Sequence, residues 1–121
     1  MKLQSHFAII FLLSLSFVAQ IDARDRWTVG QAYEWWGKQP WYMGMNFIPS
    51  TAVNTLEMWQ AETFDVATID RELGYAENLG FNIARVFLHH LVWQQDPKGF
   101  KARLDQFLQI ADSHKIKTML V

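Results

Sequence analysis

Residues 65–88 read DVATIDRELGYAENLGFNIARVFL, which contains one helix, its stop and one strand. Asp65 is suited to accept the free N–H groups of a helix running to about Leu79, and Ile69, Leu73 and Ala76 form its buried stripe at spacings of four and three. Gly80 ends that helix in the left-handed conformation, and Phe81 follows as its hydrophobic closure. Asn82 to Leu88 is then β-branched and aromatic, apolar on both faces except for Arg85. A strand of that kind is expected to be buried on both sides, as in a parallel sheet covered by helices.

The same pattern extends in both directions. Towards the C-terminus, Asp96-Pro97 announces a second helix, with Phe100, Leu104, Phe107, Leu108 and Ala111 as its stripe. Lys115 places a positive charge at its end, and Lys117 to Val121 (KTMLV) begins a third strand. Towards the N-terminus, Pro40 to Ser50 (PWYMGMNFIPS) reads as a short strand broken by Pro49, with Gly44 permitting close backbone approach. Thr51 to Thr63 (TAVNTLEMWQAET) reads as a long loop of the kind that carries function. The order β-loop-α-β-loop-α-β predicts an α/β fold with a parallel sheet, either part of a barrel or an open doubly wound sheet. The usual phosphate signatures of the open sheet, G-x-G-x-x-G and G-x-x-x-x-G-K-[ST], do not follow strand one.

Composition narrows the class. Half of the 121 residues are apolar, so core material is ample, and a net charge of -1 without charge runs gives no nucleic-acid footprint. With no cysteine, disulfides, thiolate nucleophiles and Cys-based metal sites are excluded. Met1-Lys2 followed by Phe7–Val18 (FAIIFLLSLSFV) reads as a secretory signal peptide over residues 1–23, cleaved after Ala23 or nearer Ala19 and Gln20. Its apolar run is shorter than the roughly 20 residues that span a hydrocarbon core, so no stable membrane anchor is expected. The mature part, residues 24–121, is expected to be secreted or periplasmic. It carries all six tryptophans, residues suited both to stacking on sugar rings and to ordinary core packing.

Four segments, PWYMGMNFIPS, NTLEMWQAETFD, TIDRELGYAENLGFNIARVFLHHLVWQQDP and GFKARLDQFLQIADSHKIKTMLV, together resemble the opening of the cellulase-type glycoside hydrolases. The likeness is to secreted bacterial proteins labelled cellulase-family glycosylhydrolase or 1,4-β-xylanase, and it covers roughly Ala32 to Val121. It implies the β1-α1-β2-α2-β3 part of a (β/α)8 TIM barrel that hydrolyses β-linked polysaccharide or oligosaccharide with retention of configuration, without a cofactor. In such barrels the acid/base and nucleophilic glutamates follow strands four and seven, roughly 5 to 5.5 Å apart. Neither strand falls within these residues, so the chain is expected to be an N-terminal portion, inactive alone. Glu57, Glu62, Glu72 and Glu77 are expected to be surface or binding carboxylates.

One active-site residue carries over by resemblance: Arg85 matches the strand-two arginine that holds the nucleophile ionised. Independently, a lone guanidinium in phase with Ile83 and Phe87 calls for a charged partner, in a site or in a structural ion pair. His89 and His90 stand at the rim after strand two, where an extended backbone would point them in opposite directions, so that at most one faces substrate. Asn54, Trp59 and Trp93 belong to the same rim by topology, suited to stacking on sugars and bonding their hydroxyls. No spacing suggests a metal site. Two other functions compete: a non-catalytic carbohydrate-binding or structural α/β protein, and a phosphate-binding enzyme that the missing glycine loop disfavours.

Overall fold

The structure, a computed structural model, describes residues 25–121, so the signal peptide expected over residues 1–23 lies outside the described residues. The described residues divide into two units, one ending at Lys38 and the other running from Gln39 to Val121. In the first, helix α1 (Val29–Gly37) starts at a reciprocal cap: Thr28 accepts from the Gln31 N–H, and the Gln31 side chain accepts from the Thr28 N–H at 2.9 Å. No residue of α1 is buried, and the rings of Trp27 and Trp35 lie 6.0 Å apart, tilted by 59°.

The second unit is a mixed α/β body built on a three-stranded parallel sheet in the order β1 (Gly44–Asn46), β2 (Ile83–Val86), β3 (Lys117–Leu120). Between the strands run α2 (Thr55–Trp59), α3 (Val66–Asn78), α4 (His90–Gln95) and α5 (Pro97–Ser113). Ala84 and Val86 of β2 are fully buried in one core with Ile69, Leu73 and Ala76 of α3 and Phe100, Phe107 and Ala111 of α5. Both long helices therefore cover the same face of the sheet. The opposite face, with Arg85 in the middle strand, is exposed. The expectation that strand two is buried on both sides thus holds for one side only, because among the described residues no helix covers the face that carries Arg85.

Both long helices begin and end as their sequences predict. Asp65 and Asp96 accept from the Thr68 and Gly99 N–H groups at 3.1 and 2.9 Å, and Pro97 occupies the first turn, where its missing N–H costs nothing. At the end of α3, Gly80 has φ 87° and donates to Glu77, while Phe81 donates back to Ala76, so two orphan carbonyls are satisfied. The end of α5 repeats this closure with Lys115 in the glycine position, at φ 57°. Lys115 donates to Asp112 and Ile116 to Ala111, each at 2.9 Å. Leu108 departs from the expected stripe and is partly exposed. It lies one turn beyond Leu104, at the edge of the buried stripe.

Strand one is shorter than the expected span of residues 40–50. Asn82 stands at its start: its Oδ1 accepts from the Met43 N–H and its Nδ2 donates to the Trp41 carbonyl, both at 2.8 Å, while the Met43 carbonyl accepts from the backbone N–H groups of Asn82 and Ile83. The Asn82 carbonyl also accepts from Lys117, which aligns the entry of β3. The expected loop over residues 51–63 contains α2, capped by Asn54, whose Oδ1 accepts from the Glu57 N–H at 3.0 Å.

Replacing Lys115 with glycine should raise stability by about 0.5–1 kcal/mol, because a side chain in the left-handed region is strained and glycine is not. Its ion pair with Glu77 is exposed and offsets little of this gain. A urea midpoint at or below that of the wild type would mean that the closure carries no strain.

Candidate functional site

Two concave surfaces lie near the sheet. The first is the uncovered face itself, about 350 Å³ in volume and lined by Gly44, Met45, Asn46, Ile83, Arg85 and Met119. Parallel pairing sets Asn46, Arg85 and Met119 side by side in register, so an amide, a guanidinium and a thioether form one row across three strands. The Arg85 guanidinium carbon sits 4.5 Å from the centroid of the Phe87 ring, two residues along the same face, which fixes its direction by a cation–π contact. The Arg85 carbonyl accepts from the Phe47 N–H at 3.0 Å, but among the described residues its guanidinium makes no hydrogen bond and no ion pair, so the structural ion pair is not made here. Among the described residues no carboxylate lines this face.

The second surface is an apolar groove of about 520 Å³ at the exits of β2 and β3, where His89, His90, Trp93, Lys101, Leu104 and Val121 are among the lining residues. Here the expectation that the two histidines point apart is corrected. Their rings stack 5.3 Å apart with 12° between planes, and both line the same groove. The reason is local: the chain leaves the strand at His89 and turns into α4, whose N-terminus His89 caps by accepting from the Leu91 N–H at 3.3 Å. Trp93 stands edge-on to Phe100 at 6.3 Å and is 44% exposed, with the Lys101 ammonium 5.2 Å from its ring centroid.

Two residues assigned to the rim have other work. Trp59 is 0% exposed, enclosed by Phe64, Phe100 and Phe107 at 5.5 to 6.0 Å, and its Nε1 donates to the Phe87 carbonyl at 2.8 Å. No face of its indole is left for a sugar, so Trp59 is a core residue. Asn54 spends its amide oxygen on capping α2 and does not line the groove. The sequence reading missed Asn46 and Lys101. A polar residue in the apolar run MGMNF, in phase with Gly44, was the available signal for Asn46.

The glutamates are also committed. Glu57 accepts from the Val53 N–H at 2.8 Å, and Glu72 holds both the N–H and the hydroxyl of Ser50, tying the exit of β1 to α3. Glu77 pairs with Lys115 and His114, and Glu62 lines a polar recess beside Arg103. Among the described residues no group of three His, Asp or Glu side chains is arranged to hold a metal, and no helix is long and apolar enough to cross a membrane. Comparison with known proteins finds no matching family, no similar curated protein and no similar solved structure.

Changing Trp59 to phenylalanine should cost about 1–3 kcal/mol, since it strands the Phe87 carbonyl without its donor. Chemical denaturation tests this. A variant as stable as the wild type would show that the indole N–H is dispensable and that the ring's role is packing alone.

Proposed function

We propose that the chain forms the first three strands of the (β/α)8 barrel of an exported glycoside hydrolase that cleaves β-linked polysaccharide or oligosaccharide with retention. The uncovered sheet face carries this reading. Parallel strands are ordinarily buried on both faces, and a face meant for a second helix layer is apolar. Here its centre holds Asn46 and Arg85, and polar groups on an inward strand face suit a barrel whose interior leads to an active site. An arginine that is aimed by Phe87 and lacks an acidic partner is suited to meet a carboxylate supplied by a strand outside these residues.

In this reading Arg85 keeps the nucleophilic carboxylate ionised and oriented. The glutamates of the chain take neither catalytic role, because none of them lines the uncovered face. The residues following β2 form a rim where Trp93 and the stacked histidines contact sugar. The leader over residues 1–23 directs export. Trp93, half exposed beside the polar edges of His89 and His90, also supports a second reading, a carbohydrate-binding protein without hydrolysis, since stacking needs no carboxylate pair.

In the enzyme carrying all eight strands, Arg85→Ala should lower kcat on an aryl β-glycoside by about a hundredfold or more while changing KM little, and Arg85→Lys should recover little of the loss. Near wild-type turnover in Arg85→Ala would make the arginine structural. Sugar binding without any turnover in that enzyme would favour the second reading.

A further inference from the structure

On the far side of α3 from its N-cap, one histidine joins the two long helices. His114 caps the end of α5, and its ring reaches α3 between two carboxylates: Nε2 lies 2.8 Å from Asp70 Oδ1, and Nδ1 lies 3.1 Å from Glu77 Oε2. Asp70, Gly74 and Glu77 are spaced four and three apart, so they share one stripe of α3. Gly74 leaves room for the ring: a Cβ there would come within 3.2 Å of His114 Cε1. Lys115 approaches Glu77 from the other side, with its Nζ 2.9 Å from Oε1. The two carboxylates lie on opposite ring nitrogens and do not converge on a common point, so the cluster is not a metal site.

We propose that His114 is a pH-sensitive clasp between α3 and α5, in which a doubly protonated ring holds Asp70 and Glu77 at once and loss of one proton releases one of them. An imidazolium donates from both nitrogens, and both nitrogens face carboxylate oxygens here. A neutral ring donates from one nitrogen only and turns a lone pair towards the other carboxylate, which repels it. Three groups around the ring favour the cation. They are Asp70 and Glu77 of α3, together with the carbonyl end of α5, whose Ile110 oxygen accepts from the His114 N–H at 3.3 Å. Lys115 opposes them from the next residue, but its ammonium is engaged with Glu77.

The electrostatics agree with this geometry. The bond to Asp70, reinforced by Glu77, holds His114 above its ordinary value despite the opposing effect of burial. Lys115 and then His114 hold the Glu77 carboxyl below the usual range, so it stays ionised wherever the ring titrates. A group whose folded value is raised contributes stability that is fully present below its unfolded value and is lost as pH rises through the folded value. The seam between α3 and α5 is therefore tightest below the ordinary histidine value and loosens as pH rises through the raised value of His114. Because β3 follows directly on Lys115 and Ile116, the entry of that edge strand loosens with it.

Two measurements on the chain test the clasp. The ring-proton NMR titration of His114 should have its midpoint above the ordinary value of about 6.5, and Asp70→Asn should lower it. The denaturant midpoint of the wild type should fall as pH rises through that titration, whereas His114→Gln should be less stable than the wild type at pH 6 and show no fall over the same range. A histidine titrating at or below about 6.5, or parallel pH profiles for the wild type and His114→Gln, would overturn the proposal.

Discussion

A parallel strand has two faces, and β2 has a helix layer on only one of them. The chain satisfies the covered side with economy: Ala84 and Val86 present small or branched side chains, so α3 and α5 approach closely and their own large residues fill the space. The opposite side is left with Ile83, Arg85 and, beyond the paired residues, Phe87. The guanidinium is well solvated there, but apolar side chains such as Met119 on an exposed sheet face are unfavourable in water unless something covers them. The row Asn46, Arg85 and Met119 is the consequence of that one-sidedness, and the reading of function rests on it.

The covered side is held together at Trp59. Its ring fills the space between Phe64, Phe100 and Phe107, and its N–H satisfies the Phe87 carbonyl just where β2 ends. Arg103 of α5 donates to the Trp59 carbonyl at 2.7 Å and reaches Asp96 Oδ2 at 3.2 Å, so α2, the end of β2 and the start of α5 are bonded through two residues. Phe100 packs on Trp59 from one side and on Trp93 from the other. The exposed tryptophan of the groove is thus positioned by the buried one, and a defect in the core at Trp59 reaches the rim through Phe100.

What the sequence disclosed follows from length. Helices α3 and α5 run for three to five turns, long enough for an apolar stripe to repeat, and their aspartate caps and glycine or lysine stops mark both ends. Helices α2 and α4 are five and six residues long, too short for any periodicity, so their residues read as loop. The errors at the rim come from this. Topology alone puts Trp59 in a loop, whereas a single helical turn swings it into the core, and an extended backbone would part His89 from His90, whereas the turn into α4 brings their rings together. Arg85 was legible as an anomaly because one charge in an apolar strand stands out by itself. Its company was not, since the register that brings Asn46 and Met119 alongside depends on pairing between distant segments.

The uncovered face makes the central claim open to a direct test with residues 24–121 expressed alone and examined by sedimentation equilibrium and scanning calorimetry. If that face and the two strand edges belong inside a larger barrel, the polypeptide associates and unfolds over a broad, weakly cooperative transition. A monomer with a sharp, cooperative melt would contradict the account, because it would mean that a sheet face holding Asn46, Arg85 and Met119 is at ease in water and needs no opposite wall.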